Sequence, residues 1–104
     1  MAKMLVIYNK PADPAAFEKH YFDVHVPLAK RLPGLRRYET STGAIVRPGA
    51  SDTPHFVATL YFDSVAAIRE AFASETGKAC AADRVRFAPN DGDYLMLLFD
   101  DQSV

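Results

Sequence analysis

The chain has 104 residues, twelve basic and thirteen acidic, for a formal charge of −1 with its three histidines neutral. The charges are scattered, which excludes the basic footprint of a nucleic-acid-binding surface. With 49% apolar and 24% charged residues and no run near the roughly 18 unbroken apolar residues of a membrane span, a soluble globular protein is expected, one domain over residues 1–104, with neither nucleic acid nor membrane as partner.

A first strand is predicted over residues 3–9, followed by a loop at Lys10-Pro11-Ala12. No charged-then-apolar leader precedes it, so a cytoplasmic location is expected. Asp13 reads as a helix N-cap with Pro14 at the first helical position, where its missing N–H costs nothing. Phe17, Tyr21, Val24 and Leu28 follow at spacings of four, three and four, the stripe of a helix turned to the core. Pro27 deprives the Asp23 carbonyl of its helical partner and biases Val26 away from helical angles, so a break is expected around His25. A short helical piece resumes at Pro27 and stops at Leu32-Pro33-Gly34.

Residues 35–43 read as a second strand, and residues 44–54, with Pro48-Gly49, Ser51-Asp52 and Pro54, as a loop. A third strand is predicted over residues 55–62. Asp63 or Ser64 caps a helix whose stripe is Val65, Ile68 and Phe72, and a further helical segment runs over residues 74–87 after a weak point at Gly77. The cluster Pro89-Asn90-Asp91-Gly92 turns the chain into a last strand over residues 93–100. The order strand, helix, strand, strand, helix, strand implies an α+β class, ferredoxin-like βαββαβ protomer: a four-stranded antiparallel sheet with its helices on one face.

The first and last strands are apolar on every residue, Met4 to Tyr8 and Tyr94 to Phe99, although neighbouring side chains of a strand point to opposite faces. Both faces must be covered. The helices cover one, and a homodimer through the sheet face covers the other. A gap between the two facing sheets would be an enclosed apolar pocket for a small hydrophobic ligand, unless the sheets pack solidly.

His25 is the leading candidate for chemistry, because an imidazole titrates near neutrality and serves as general acid or base. Its other role would be to donate a hydrogen bond to a carbonyl freed at the break. Tyr21, four residues earlier, would share its face and make a phenol–imidazole pair, although it also fits the core stripe. Tyr38 and Tyr61, from strands expected to pair, offer hydroxyls as polar handles for a ligand, or simply pack. His20 and His55 are expected to be exposed. Cys80 is the only cysteine, so an intrachain disulfide and a thiolate metal cluster are excluded. No HExxH, clustered Cys/His set, GxGxxG, GxxxxGK or GxSxG is present. No metal site and no cofactor is expected, and a lone histidine does not by itself call for a haem.

The stretch Tyr21-Phe22-Asp23-Val24-His25-Val26-Pro27-Leu28, with Leu32-Pro33-Gly34-Leu35 downstream, resembles the signature of the EthD family. Opening strand, closing strand and length agree across nearly the whole chain. The resemblance implies a ferredoxin-like protomer in a dimeric α+β barrel, similar to muconolactone isomerase and to cofactor-independent antibiotic-biosynthesis monooxygenases. It carries the motif histidine onto His25 and the motif aromatic onto Tyr21. The family takes its name from an accessory protein of ethyl tert-butyl ether degradation, and related fungal proteins resemble dehydratases or decarboxylases of polycyclic aromatic intermediates. Two readings follow. One is a cofactor-independent lyase or isomerase acting on an apolar oxygenated compound, with His25 moving the proton and a tyrosine orienting the substrate. The other is a non-catalytic binding or accessory protein of an oxygenase-based degradation pathway.

Overall fold

The computed structural model describes residues 1–104. Strand β1 (Ala2–Tyr8) leads to helix α1 (Pro14–His20), a wide π turn (Tyr21–His25) and a single further turn, α2 (Val26–Ala29). Strands β2 (Arg37–Thr40) and β3 (Phe56–Phe62), helices α3 (Val65–Ala73) and α4 (Glu75–Phe87), and strand β4 (Tyr94–Asp100) follow. The strand order is β2-β3-β1-β4 with every neighbouring pair antiparallel. This is the ferredoxin-like α+β arrangement.

Local chemistry explains most boundaries. The Asp13 carboxylate accepts the Ala16 N–H at 3.1 Å, and the Ser64 hydroxyl accepts the Ala67 N–H at 3.0 Å, each satisfying a donor that a helix start leaves orphaned. After α2 the chain turns through Gly34 in the left-handed region, φ 79°, which a side chain would resist. β2 is shorter than predicted, four residues, with bonds from Arg36 N–H to the Tyr61 carbonyl and Ser41 N–H to the Val57 carbonyl flanking it, both 2.8 Å.

Pro27 does not break the helix. Val26 keeps helical angles, φ −60° and ψ −50°, and its N–H reaches back five residues to the Tyr21 carbonyl. A wide turn tolerates the missing proline donor without unwinding. It also resets the helix phase. In an α-helix every fourth residue drifts by about 40°, but the added width cancels that drift. Phe17, Tyr21, His25 and Ala29 therefore stack on one buried line, and Val24, expected in the core, is 45% exposed. His25 has taken its place.

The break between α3 and α4 falls at Ser74, not at Gly77. Ser74 is extended, and its hydroxyl caps α4 by accepting the Gly77 N–H at 3.1 Å. Gly77 has a different role: a Cβ there would lie 2.3 Å from the Ala71 carbonyl oxygen, so the corner closes only around a hydrogen.

The sheet's two faces separate by pleat. Met4, Val6 and Tyr8 of β1 and Phe56, Ala58, Leu60 and Phe62 of β3 are buried under the helices. The outer face carries Leu5, Ile7 and Val57, half-buried, and from β4 Leu95, Leu97 and Phe99, exposed by 54, 43 and 39%. Cross-strand pairs Leu5–Leu97 and Ile7–Leu95 make this a continuous apolar surface.

Candidate functional site

A cleft of about 570 Å³ runs between the helices and the inner face of the sheet, within one protomer. Its walls explain the space. Ala29, Ala58, Ala73, Cys80 and Ala81 line it, and such short side chains leave unfilled the room that a close-packed interior would occupy. Seventeen of its twenty lining residues are hydrophobic; the other three are His25, Arg69 and Arg84. Three of the four residues singled out from the sequence meet here: His25, Tyr21 and Tyr38. Tyr61 does not. It lies on the outer face, where its hydroxyl donates to Glu39 at 2.8 Å and its ring lies beneath Lys3 and Arg37. Strand alternation separates it from Tyr38.

The wide turn delivers His25, only 8% exposed, to Asp83 of α4. His25 Nδ1 lies 2.9 Å from Asp83 Oδ2, and His20 Nε2 lies 2.9 Å from Oδ1 of the same carboxylate. Burial pushes the Asp83 pKa up, but hydrogen bonds from His25 and His20 outweigh it and hold the group below the usual carboxylate range. An ionised carboxylate only accepts hydrogen bonds, so each histidine must present an N–H to it. His25 is thereby assigned the Nδ1–H tautomer, with a lone pair on Nε2, which has no hydrogen-bond partner in the protein. Burial also lowers the His25 pKa below its ordinary value, and Asp83 restores it only in part. The ring is a neutral proton acceptor at neutral pH.

Asp83 is the residue that sequence reasoning missed. A signal existed, because Cys80, Asp83 and Phe87 follow at spacings of three and four, which puts a carboxylate on a helix stripe that should be apolar. His20, expected to be exposed, is tied to Asp83, and it lines a second, polar cleft of about 510 Å³ near Asn9 and Arg86. His55 is likewise half-buried, its ring 5.5 Å from that of Phe17.

The Tyr21 and Tyr38 hydroxyls meet at 2.5 Å. Burial raises both pKa values, that of Tyr38 to about 12, and for Tyr21 the proximity of Tyr38 adds to the effect. Both phenols stay protonated; one donates to the other, which leaves a single O–H free to donate. Burial pushes the Cys80 thiol up to about 11, so it is a packing group rather than a nucleophile. No set of three or more His, Cys, Asp or Glu is arranged to hold a metal ion. The site combines a carboxylate-backed base, a phenol pair and apolar walls in a volume suited to a small molecule.

The model of the EthD domain matches residues 9–91. A protein of Rhodococcus erythropolis described as "Uncharacterized 11.0 kDa protein in thcB-thcC intergenic region" is 38% identical over 104 residues, covering all of this chain and 98% of that protein. The crystal structure of an ethyl tert-butyl ether d (EthD) family protein from Bacillus halodurans superposes with a TM-score of 0.86 at 27% identity, covering 98% of this chain and 99% of that one. SnoaB of Streptomyces nogalater, described as a cofactor-independent oxygenase, shares the fold with a TM-score of 0.67 at 19% identity, covering 99% and 94%. With a family match over most of its length and a relative this similar from end to end, the chain belongs to the EthD family.

Proposed function

We propose that this protein is a cofactor-independent lyase or isomerase that moves a proton on an apolar oxygenated compound, with His25 as general base. The observation that carries the reading is the unpartnered His25 Nε2 at the wall of an apolar cavity, its other nitrogen fixed by Asp83. A C–H next to a carbonyl, presented to Nε2, gives up its proton to the ring, and its bonding electrons move onto the carbonyl oxygen. The Tyr21–Tyr38 pair donates a hydrogen bond to that developing oxyanion. Asp83 stabilises the imidazolium formed, and the dry walls strengthen both contacts. Return of the proton at a different carbon completes an isomerisation; expulsion of a leaving group on the neighbouring carbon completes an elimination.

The outer face supports a homodimer in the same proposal. Exposed Leu95, Leu97 and Phe99 are what two sheets packed face to face would bury, and several ferredoxin-like neighbours are described as dimeric. The interface and the cavity then lie on opposite faces of one sheet.

The test is α-proton exchange of 2-tetralone and related apolar ketones in deuterated buffer, followed by NMR. The native protein should accelerate exchange, and His25→Ala, checked for folding by circular dichroism, should lose about 10²- to 10⁴-fold of that rate, the usual contribution of a positioned base. Exchange that is unaltered in folded His25→Ala would reject the assignment of the base. Exchange no faster than buffer for every ketone would reject proton transfer in the cavity.

A further inference from the structure

We infer that the ligand of this cavity is an anion: an apolar skeleton carrying one acidic group, such as a carboxylate or an acidic enol, which Arg69 and Arg84 hold. The inference rests on reading the cavity as a ligand site and adds the chemical class of what enters it. Every charge at the wall has one sign. Arg69 of α3 and Arg84 of α4 line the cleft, and no aspartate or glutamate does. Neither guanidinium has a carboxylate within salt-bridge distance. Asp83, on the same helix as Arg84, is outside the lining and taken up by two histidines.

The two arginines come from separate helices and line the same cleft. Arg69 shares its face of α3 with Phe72 and Ala73, and Arg84 shares its face of α4 with Cys80 and Ala81, all lining the cleft. Arg69 is exposed and so marks where the cavity meets solvent; Arg84 is half-buried. Arg84 donates to the Ala88 carbonyl at 2.7 Å and stacks 4.4 Å from the Tyr94 ring centre. These contacts fix its plane and use one of five N–H donors. A planar, pre-oriented fork with spare donors beside apolar walls suits a carboxylate or enolate, which it can bind through two parallel hydrogen bonds. An anion there also complements the proposed base. A negative charge held by the arginines leaves His25 Nε2 facing the carbon skeleton, and the cationic rim draws such ligands in.

Calorimetric titration with matched pairs tests the inference: benzoate with benzamide, 2-naphthoate with 2-naphthamide, and decanoate with decanamide. The acid of a binding pair should bind roughly tenfold or more tightly than its amide, as expected for charge-assisted hydrogen bonds. Arg69→Gln, on an exposed side chain, should reduce that preference. Arg69→Gln/Arg84→Gln, verified as folded, should abolish it. An amide that binds as well as its acid, or an acid preference that survives in the folded double variant, overturns this inference and leaves the cavity as a site for neutral ligands. Failure of all six compounds to bind overturns the ligand-site reading itself.

Discussion

Replacing Leu97 by Asp puts the proposed assembly to a direct test, because this side chain sits mid-strand on the exposed outer face of β4 and does little for the protomer's own core. Leu97 is 43% exposed and pairs with Leu5. Full burial of a leucine contributes about 1.5–3 kcal/mol, so covering the remaining two-fifths contributes roughly 1 kcal/mol per copy and 2 per dimer. Each 1.4 kcal/mol is about tenfold in affinity, so lost burial alone weakens association roughly thirtyfold. Two carboxylates stripped of water against leucines add several kcal/mol more. Leu97→Asp should therefore raise the dimer dissociation constant by roughly a thousandfold. Sedimentation velocity over a dilution series reads this out, with circular dichroism confirming an unchanged fold. A native chain that sediments as a monomer throughout, or a Leu97→Asp chain that stays dimeric beside it, would refute the reasoning.

Gly77→Ala should destabilise the protein by at least roughly 2 kcal/mol in urea unfolding despite alanine's better helix propensity, since the new methyl meets backbone atoms of Ala71 and Phe72 at 2.3 Å; a neutral or stabilising result would show that the α3–α4 corner yields. Acidification should destabilise in two stages. Burial holds His25 below its ordinary 6.5, so the unfolded chain binds more protons than the folded one as pH falls through that range, and Asp83, held below its ordinary 3.8, adds a second loss beneath about pH 4. The stability that both groups contribute is present above their unfolded values. His25→Gln should flatten the first stage in urea midpoints taken from pH 8 down to 5, and an undiminished slope would assign that loss elsewhere.

The fold was legible because its signals are local. Asp13-Pro14 and Ser64 announce helix starts, the Pro89–Gly92 cluster announces a turn, and short apolar and β-branched runs bounded by turn residues place the strands. The site was legible only where it is local too. His25 stood out by its residue type beside Pro27, but an assumed 3.6-residue period placed Val24 on the buried line, because nothing in that period anticipates a wide turn. Asp83 is 58 residues from His25, and only its place among the apolar residues of α4 hinted that it pointed inward. The cleft inside the protomer was not anticipated, because the sequence pattern pointed only to the space between two facing sheets. The apolar strands drew attention to the sheet, yet this space comes from short side chains on the helix walls, whose volumes matter only once they face one another.

The alternation of the strands has a further consequence for how such a chain can vary. Met4, Val6, Met96 and Leu98 look toward the cavity, while Leu5, Ile7, Leu95 and Leu97 look the other way. Odd and even positions along the same two strands thus answer to separate constraints. Substitutions at the even numbers can reshape the chamber while the odd numbers preserve the outward surface, so the proposed ligand site and the proposed dimer face can change independently of each other.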